Sequence, residues 1–106
     1  MSLVNTIQKL SVAIYEQTVA TRRHLHQHPE LSYQEVNTAK YVAEQLRHAG
    51  LKPTEGIAGT GVVALIEGNN PTRKTVALRA DMDALPIQEA SEKSYCSKVS
   101  GVMHAC

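Results

Sequence analysis

Thr75-Val76-Ala77-Leu78-Arg79-Ala80-Asp81-Met82-Asp83-Ala84-Leu85-Pro86 decides how the rest of the chain is read. Its first half is a largely apolar run that predicts a strand over Thr75–Ala80. The run ends in two carboxylates one residue apart. In an open α/β sheet, ligands bind outside the carboxyl ends of the strands. Residues i and i+2 of an extended segment point the same way, so Asp81 and Asp83 would face one cavity. Clustered carboxylates suit a hard cation, or the orientation of a metal-bound histidine from behind. The competing reading is a solvated turn whose aspartates bond their own backbone.

Downstream, Ile87–Ser100 is polar without a clear period and reads as loop. The chain then gives Gly101-Val102-Met103-His104-Ala105-Cys106. Thiolate and imidazole are both good ligands for zinc and related metals. One His and one Cys are too few for a complete site, and a free tail thiol is the competing reading.

Upstream, Val62–Ile66 has strand length and β-branched character, between the turn Gly59-Thr60-Gly61 and the turn Gly68-Asn69-Asn70-Pro71. Gly59-Thr60-Gly61 lacks the helix, third glycine and lysine of phosphate loops. Lys52–Glu55 is a candidate short edge strand. Before these, Leu3, Ile7, Leu10 and Ile14 mark one face of an amphipathic helix. The pattern predicts one helix from about Ser2 to about Gln27, closed by Pro29. Ser32-Tyr33-Gln34-Glu35 has capping-box form and predicts a second helix, burying Val36, Ala39, Ala43 and Leu46. Gly50 suits the left-handed position after its last turn. His24 and His28 share a helix face but lack the metalloprotease spacing, and read as helix-end residues favoured by the dipole. Two helices followed by apolar strands predict an α/β layered domain with the first strands of a mixed sheet.

Bulk properties exclude several classes. The chain has 106 residues, 42% hydrophobic and 20% charged, with a net charge of +1. That composition is globular, and no basic patch supports nucleic-acid binding. No apolar run has the length of a membrane span, and no signal peptide is evident at the N-terminus. Cys96 and Cys106 are the only cysteines and do not form a disulfide framework, so the expected compartment is the cytoplasm. Phe and Trp are absent, so the core must be aliphatic and small, and uncovered apolar surface makes a homo-oligomer possible.

Four segments occur in one order: Arg22–Ser32, Gly59–Val62, Leu78–Ile87 and Gly101–Cys106. Together they resemble the N-terminal end of the M20 metallopeptidase family, in the branch of N-acyl-amino-acid, hippurate and indole-acetyl-amino-acid hydrolases. The resemblance implies that residues 1–106 are the N-terminal part of a zinc-peptidase-like catalytic domain, ending inside a metal-binding motif. It places the lid or dimerisation domain, the remaining ligands and the general base outside these residues. Cys106 resembles a ligand of a two-metal centre. Asp83 matches the aspartate that sits behind the metals and orients a neighbouring ligand. Asp81 falls where other branches carry a metal-binding histidine. His104 belongs to the motif without being a ligand.

The implied activity is metal-assisted hydrolysis of the amide bond of an N-acylated amino acid or small peptide. Two divalent ions (Zn, Mn, Ni or Co) would act in the complete enzyme, with little binding to this stretch alone. Two other readings compete. One is a non-catalytic, self-associating module. The other is a phosphotransferase of the haloacid-dehalogenase type, whose strand also ends in Asp-x-Asp; there Asp81 would be the nucleophile.

Overall fold

The computed structural model describes residues Met1 to Cys106. Three helices, α1 (Leu3–Ala13), α2 (Tyr15–Gln27) and α3 (Val36–His48), precede two strands, β1 (Thr54–Ile57) and β2 (Gly61–Val63). The strands form an antiparallel hairpin, with a register shift between Glu55 and Ile57. α3 packs across both strands. The α/β class and the order of helices before strands agree with the sequence.

The single helix expected over Ser2–Gln27 is two helices that meet at Ile14. Ser2 caps α1, its Oγ accepting from the Asn5 amide at 3.2 Å. At the junction, the Thr18 hydroxyl donates to the Ile14 carbonyl at 2.9 Å. Such back-bonding bends helices. Nothing straightens the joint, because neither α1 nor α2 contains a buried residue.

α3 follows the local rules at its C-terminus. Gly50 adopts φ +85°, the Gly50 amide donates to the Arg47 carbonyl at 2.9 Å, and the Leu51 amide donates to the Leu46 carbonyl at 3.0 Å. This is a Schellman cap. The N-terminus differs from expectation. Ser32 makes no cap, and the Glu30 carboxylate takes its place. It accepts from the Thr38 amide (2.6 Å), the Thr38 hydroxyl (2.7 Å) and the Asn37 amide (3.3 Å). A carboxylate on the free N–H groups of a first helical turn also meets the positive end of the dipole. Ala39 and Ala43 are buried as expected and Leu46 is half-buried, but Val36 is exposed.

The candidate edge strand is present, shifted to Thr54–Ile57. Gly61 is required by close approach: a Cβ there would stand 2.6 Å from the Ile57 carbonyl oxygen. Of Val62–Ile66, only Val62 and Val63 join the ladder. The strand expected over Thr75–Ala80 is not formed. No backbone–backbone hydrogen bond involves residues 74–83, and no neighbouring strand lies against them. β-propensity needs a partner ladder to be realised, and these 106 residues supply none for this run.

Candidate metal-site segment

Three of the four motif segments, Arg22–Ser32, Leu78–Ile87 and Gly101–Cys106, are stitched together around Ala84 and Leu85. The Ala84 amide donates to the Glu30 carbonyl at 2.8 Å, and Leu31 and Ala84 form a parallel bridge. Leu85 and Met103 form an antiparallel bridge. Ala84 itself is buried at 3% exposure between the two neighbours. Asp83, one residue before this knot, and His104, one residue after its far side, are thereby brought to the same place.

The His104 ring is partly buried, and its Nε2 has no hydrogen-bond partner. Its pKa is lowered, chiefly because burial disfavours the charged ring and secondarily because His26 adds like charge. The Asp83 carboxylate and backbone act in the opposite direction. Asp83 is therefore a close neighbour of the His104 ring. Asp83 is half-buried, whereas Asp81 is exposed and paired with Arg79 at 2.8 Å. The two carboxylates thus differ in environment, although the alternation expected of an extended segment would have matched them.

Asp81, His26, His104 and Cys106 all line one open cavity of about 830 Å³, whose walls include Leu25, Val62 and Leu78. Cys106 is a free, exposed thiol; Cys96 is free and half-buried. No three His, Cys, Asp or Glu side chains stand together as a ligating cluster. A structural zinc site takes four ligands and a catalytic one takes three plus water. The orphaned imidazole nitrogen, the thiol and the nearby carboxylates therefore fit a contribution to a metal centre rather than a complete one.

Glu89 and Gln88, which the sequence did not single out, support this wall. His26 Nε2 lies 2.9 Å from Glu89 Oε1, and both side chains are largely shielded. Glu89 Oε1 also accepts from the Ser97 amide at 2.7 Å, and Oε2 accepts from the Ser91 hydroxyl. These bonds, Ser91 first, hold the Glu89 carboxyl below the usual range against the opposing effect of burial. Glu89 thereby fastens the polar loop to α2. The loop's far end is held by Gln88, whose Oε1 accepts from the Gly101 amide at 2.7 Å. Neither role has a local sequence signal, since both partners are distant in the chain. His24 and His28 lie at the C-terminal end of α2, away from this cavity. His24 stacks on Tyr41, with centroids 4.1 Å apart.

No family model matches the chain. It is 50% identical over its whole length to thermostable carboxypeptidase 2 of Saccharolobus solfataricus, covering 27% of that protein. It is 48% identical over 94% of its length to an N-acyl-L-amino acid amidohydrolase of Geobacillus stearothermophilus, again covering 27%. Among solved structures, YXEP of Bacillus subtilis, a dinuclear metal-binding peptidase of the M20 family, superposes with a TM-score of 0.78 at 43% identity. That match covers 89% of this chain and 26% of YXEP. The chain spans about a quarter of the length of the proteins it matches.

Proposed function

Because the chain belongs to the M20 family of amidohydrolases and peptidases, we propose that it forms one wall of a metal-dependent amidohydrolase site for N-acyl amino acids or small peptides. The observation that supports this most is the knot at Ala84 and Leu85, which sets Asp83 beside His104, while His104 and Cys106 line one cavity that Asp83 does not line. In this reading Cys106 is a metal ligand and Asp83 orients a neighbouring ligand. Asp81 holds the cavity rim through Arg79. Two divalent ions of the zinc, manganese, nickel or cobalt kind would supply Lewis acidity and an activated water. The remaining ligands and the general base would come from residues outside these 106, and the segment by itself would not turn over substrate. The free thiols fit a reducing cytoplasm, and no helix is long and apolar enough to cross a membrane.

The test is a chimera in which this chain replaces the matching quarter of the Geobacillus amidohydrolase. The chimera is expected to release amino acids from N-acyl amino acids only with divalent metal. Asp83→Asn is expected to lower activity or metal affinity by about 10- to 100-fold, as for residues that orient ligands. A folded, metal-loaded chimera without hydrolysis would overturn the reading. So would ordinary turnover (on the order of 1–1000 per second) by the 106-residue chain alone.

A further inference from the structure

We infer that Glu89 is a positioning residue: through His26 on one side and Ser97 on the other, it sets where the segment Gly101–Cys106 stands against α2. Its consequence for metal binding rests on the hydrolase reading, whereas the geometry does not. Residues 87–100 form no helix or strand, so no regular ladder orders this polar stretch. A few bonds that converge on one carboxylate order it instead. Glu89 Oε1 meets both His26 Nε2, at 2.9 Å, and the Ser97 amide, at 2.7 Å. A carboxylate only accepts, so His26 donates from Nε2. The Ser97 hydroxyl in turn donates to the Val102 carbonyl at 2.7 Å. Val102 stands two residues before His104. A continuous series, His26–Glu89–Ser97–Val102, thus runs from α2 to the segment that carries His104 and Cys106.

His26, His104 and Cys106 line the same cavity, so the series joins two of its walls. The route is separate from the Leu85–Met103 pair, which fixes the same segment to the side of Asp83. The His26 and Glu89 side chains are 12% and 7% exposed, and they are already paired with each other. Further chain could cover this contact but is not needed to make it. Other bonds hold the loop to α2 without reaching the segment. The Lys98 amide donates to the Gln27 carbonyl at 2.9 Å, and the Arg23 guanidinium lies over the Tyr95 ring at 4.4 Å. Gln88 reaches the segment at the Gly101 amide but makes no hydrogen bond to α2. Glu89 with Ser97 does both. Hydrogen bonds to an ionised carboxylate are short and strong, which suits a residue that fixes a distance.

The test uses the chimera with the Geobacillus amidohydrolase. Without metal, Glu89→Ala and Ser97→Ala are each expected to speed hydrogen exchange at the Met103 amide at least about tenfold. Ser97→Thr, which restores the hydroxyl, is expected to return it to the parent rate. Affinity for cobalt(II), read by competition with a chelator, should fall about 10- to 100-fold in both Ala variants, as for partners behind a ligand, and recover in Ser97→Thr. The two residues act in series, so the double variant should be little worse than Glu89→Ala alone. If Glu89→Ala does not fold, Ser97→Ala and Ser97→Thr decide, because they leave the His26–Glu89 bond in place. Exchange at Met103 that the substitutions leave unchanged overturns the proposal. Faster exchange confined to Ser97 and Lys98, with cobalt affinity intact, makes Glu89 a loop staple only and also overturns it. A parent chimera that fails to hydrolyse substrate or to hold cobalt sinks the hydrolase reading instead, and exchange at Met103 still decides this one.

Discussion

Leu85 and Met103 exchange both of their backbone hydrogen bonds, at 2.9 and 3.0 Å. This narrow pair holds the Asp-x-Asp segment against the His-x-Cys segment. The Glu30 carbonyl secures the other side of the same short stretch through the Ala84 amide. The Asp-x-Asp and His-x-Cys segments are therefore positioned by main chain, not by their own side chains.

Leu85→Pro removes the amide that meets the Met103 carbonyl. A partly buried carbonyl left without its donor costs roughly 1–3 kcal/mol. Hydrogen exchange at the Met103 amide should accelerate, and the His104 ring resonances should move toward those of an exposed imidazole. Unchanged exchange at Met103 would show that the pairing is dispensable.

Glu30 is the N-terminal anchor of α3. Burial alone would raise its pKa, but hydrogen bonds from Thr38 and Asn37 outweigh this and hold it below the usual range. The unfolded chain therefore binds the proton more readily, and stability rises with pH. The contribution is present above the unfolded value of about 4.3 and is lost as pH falls through the lower folded value. Glu30→Gln should cost about 1 kcal/mol at neutral pH, as caps do. It should also flatten the acid limb of a denaturation series below about pH 4.3, where the folded carboxylate would otherwise lose its advantage.

His24 titrates with the same sign for a different reason. Burial first, then the nearby charges of His28 and Lys98, lower its pKa, while its ring stacks on Tyr41. Stability is complete above the unfolded value of about 6.5 and is lost as pH drops below it through the folded value. His104 is shifted in the same direction. His24→Gln should reduce the fall in melting temperature between about pH 7 and about pH 5.5, with the His104 share remaining. A pH dependence identical to that of the parent chain would contradict the assignment.

Gly61 in the hairpin and Gly50 in the α3 cap are constrained for different reasons, close approach and backbone angle. Gly61→Ala drives a Cβ to 2.6 Å from the Ile57 carbonyl oxygen, which forces a backbone shift of the kind that costs about 1–3 kcal/mol. Gly50→Ala meets no atom within 4 Å but must hold φ +85°, at about 1 kcal/mol. Urea melts of the two variants should rank Gly61→Ala as the more destabilised.

What the sequence determined by itself was local. Ala39 and Ala43 recur at helical spacing, and Gly50 supplies the left-handed stop, so α3 and its C-cap were readable in isolation. The motif segments that identify the family were equally plain. Other features depend on partners elsewhere in the chain. Ile14 interrupts a pattern that is continuous in sequence, where neither α1 nor α2 has a buried residue to hold the joint straight. Glu30 displaces Ser32 as the cap because the fold returns its carboxylate to Thr38. The sequence holds a strand pattern at Thr75–Ala80, but ladder bonds come from a neighbour and none is present. Asp81 and Asp83 look alike in sequence, yet the tertiary structure leaves one at the rim with Arg79 and sets the other against His104. Helical periodicity and caps are satisfied within a few residues, whereas ladders, buried charges and ligand geometry need chain that only folding brings near.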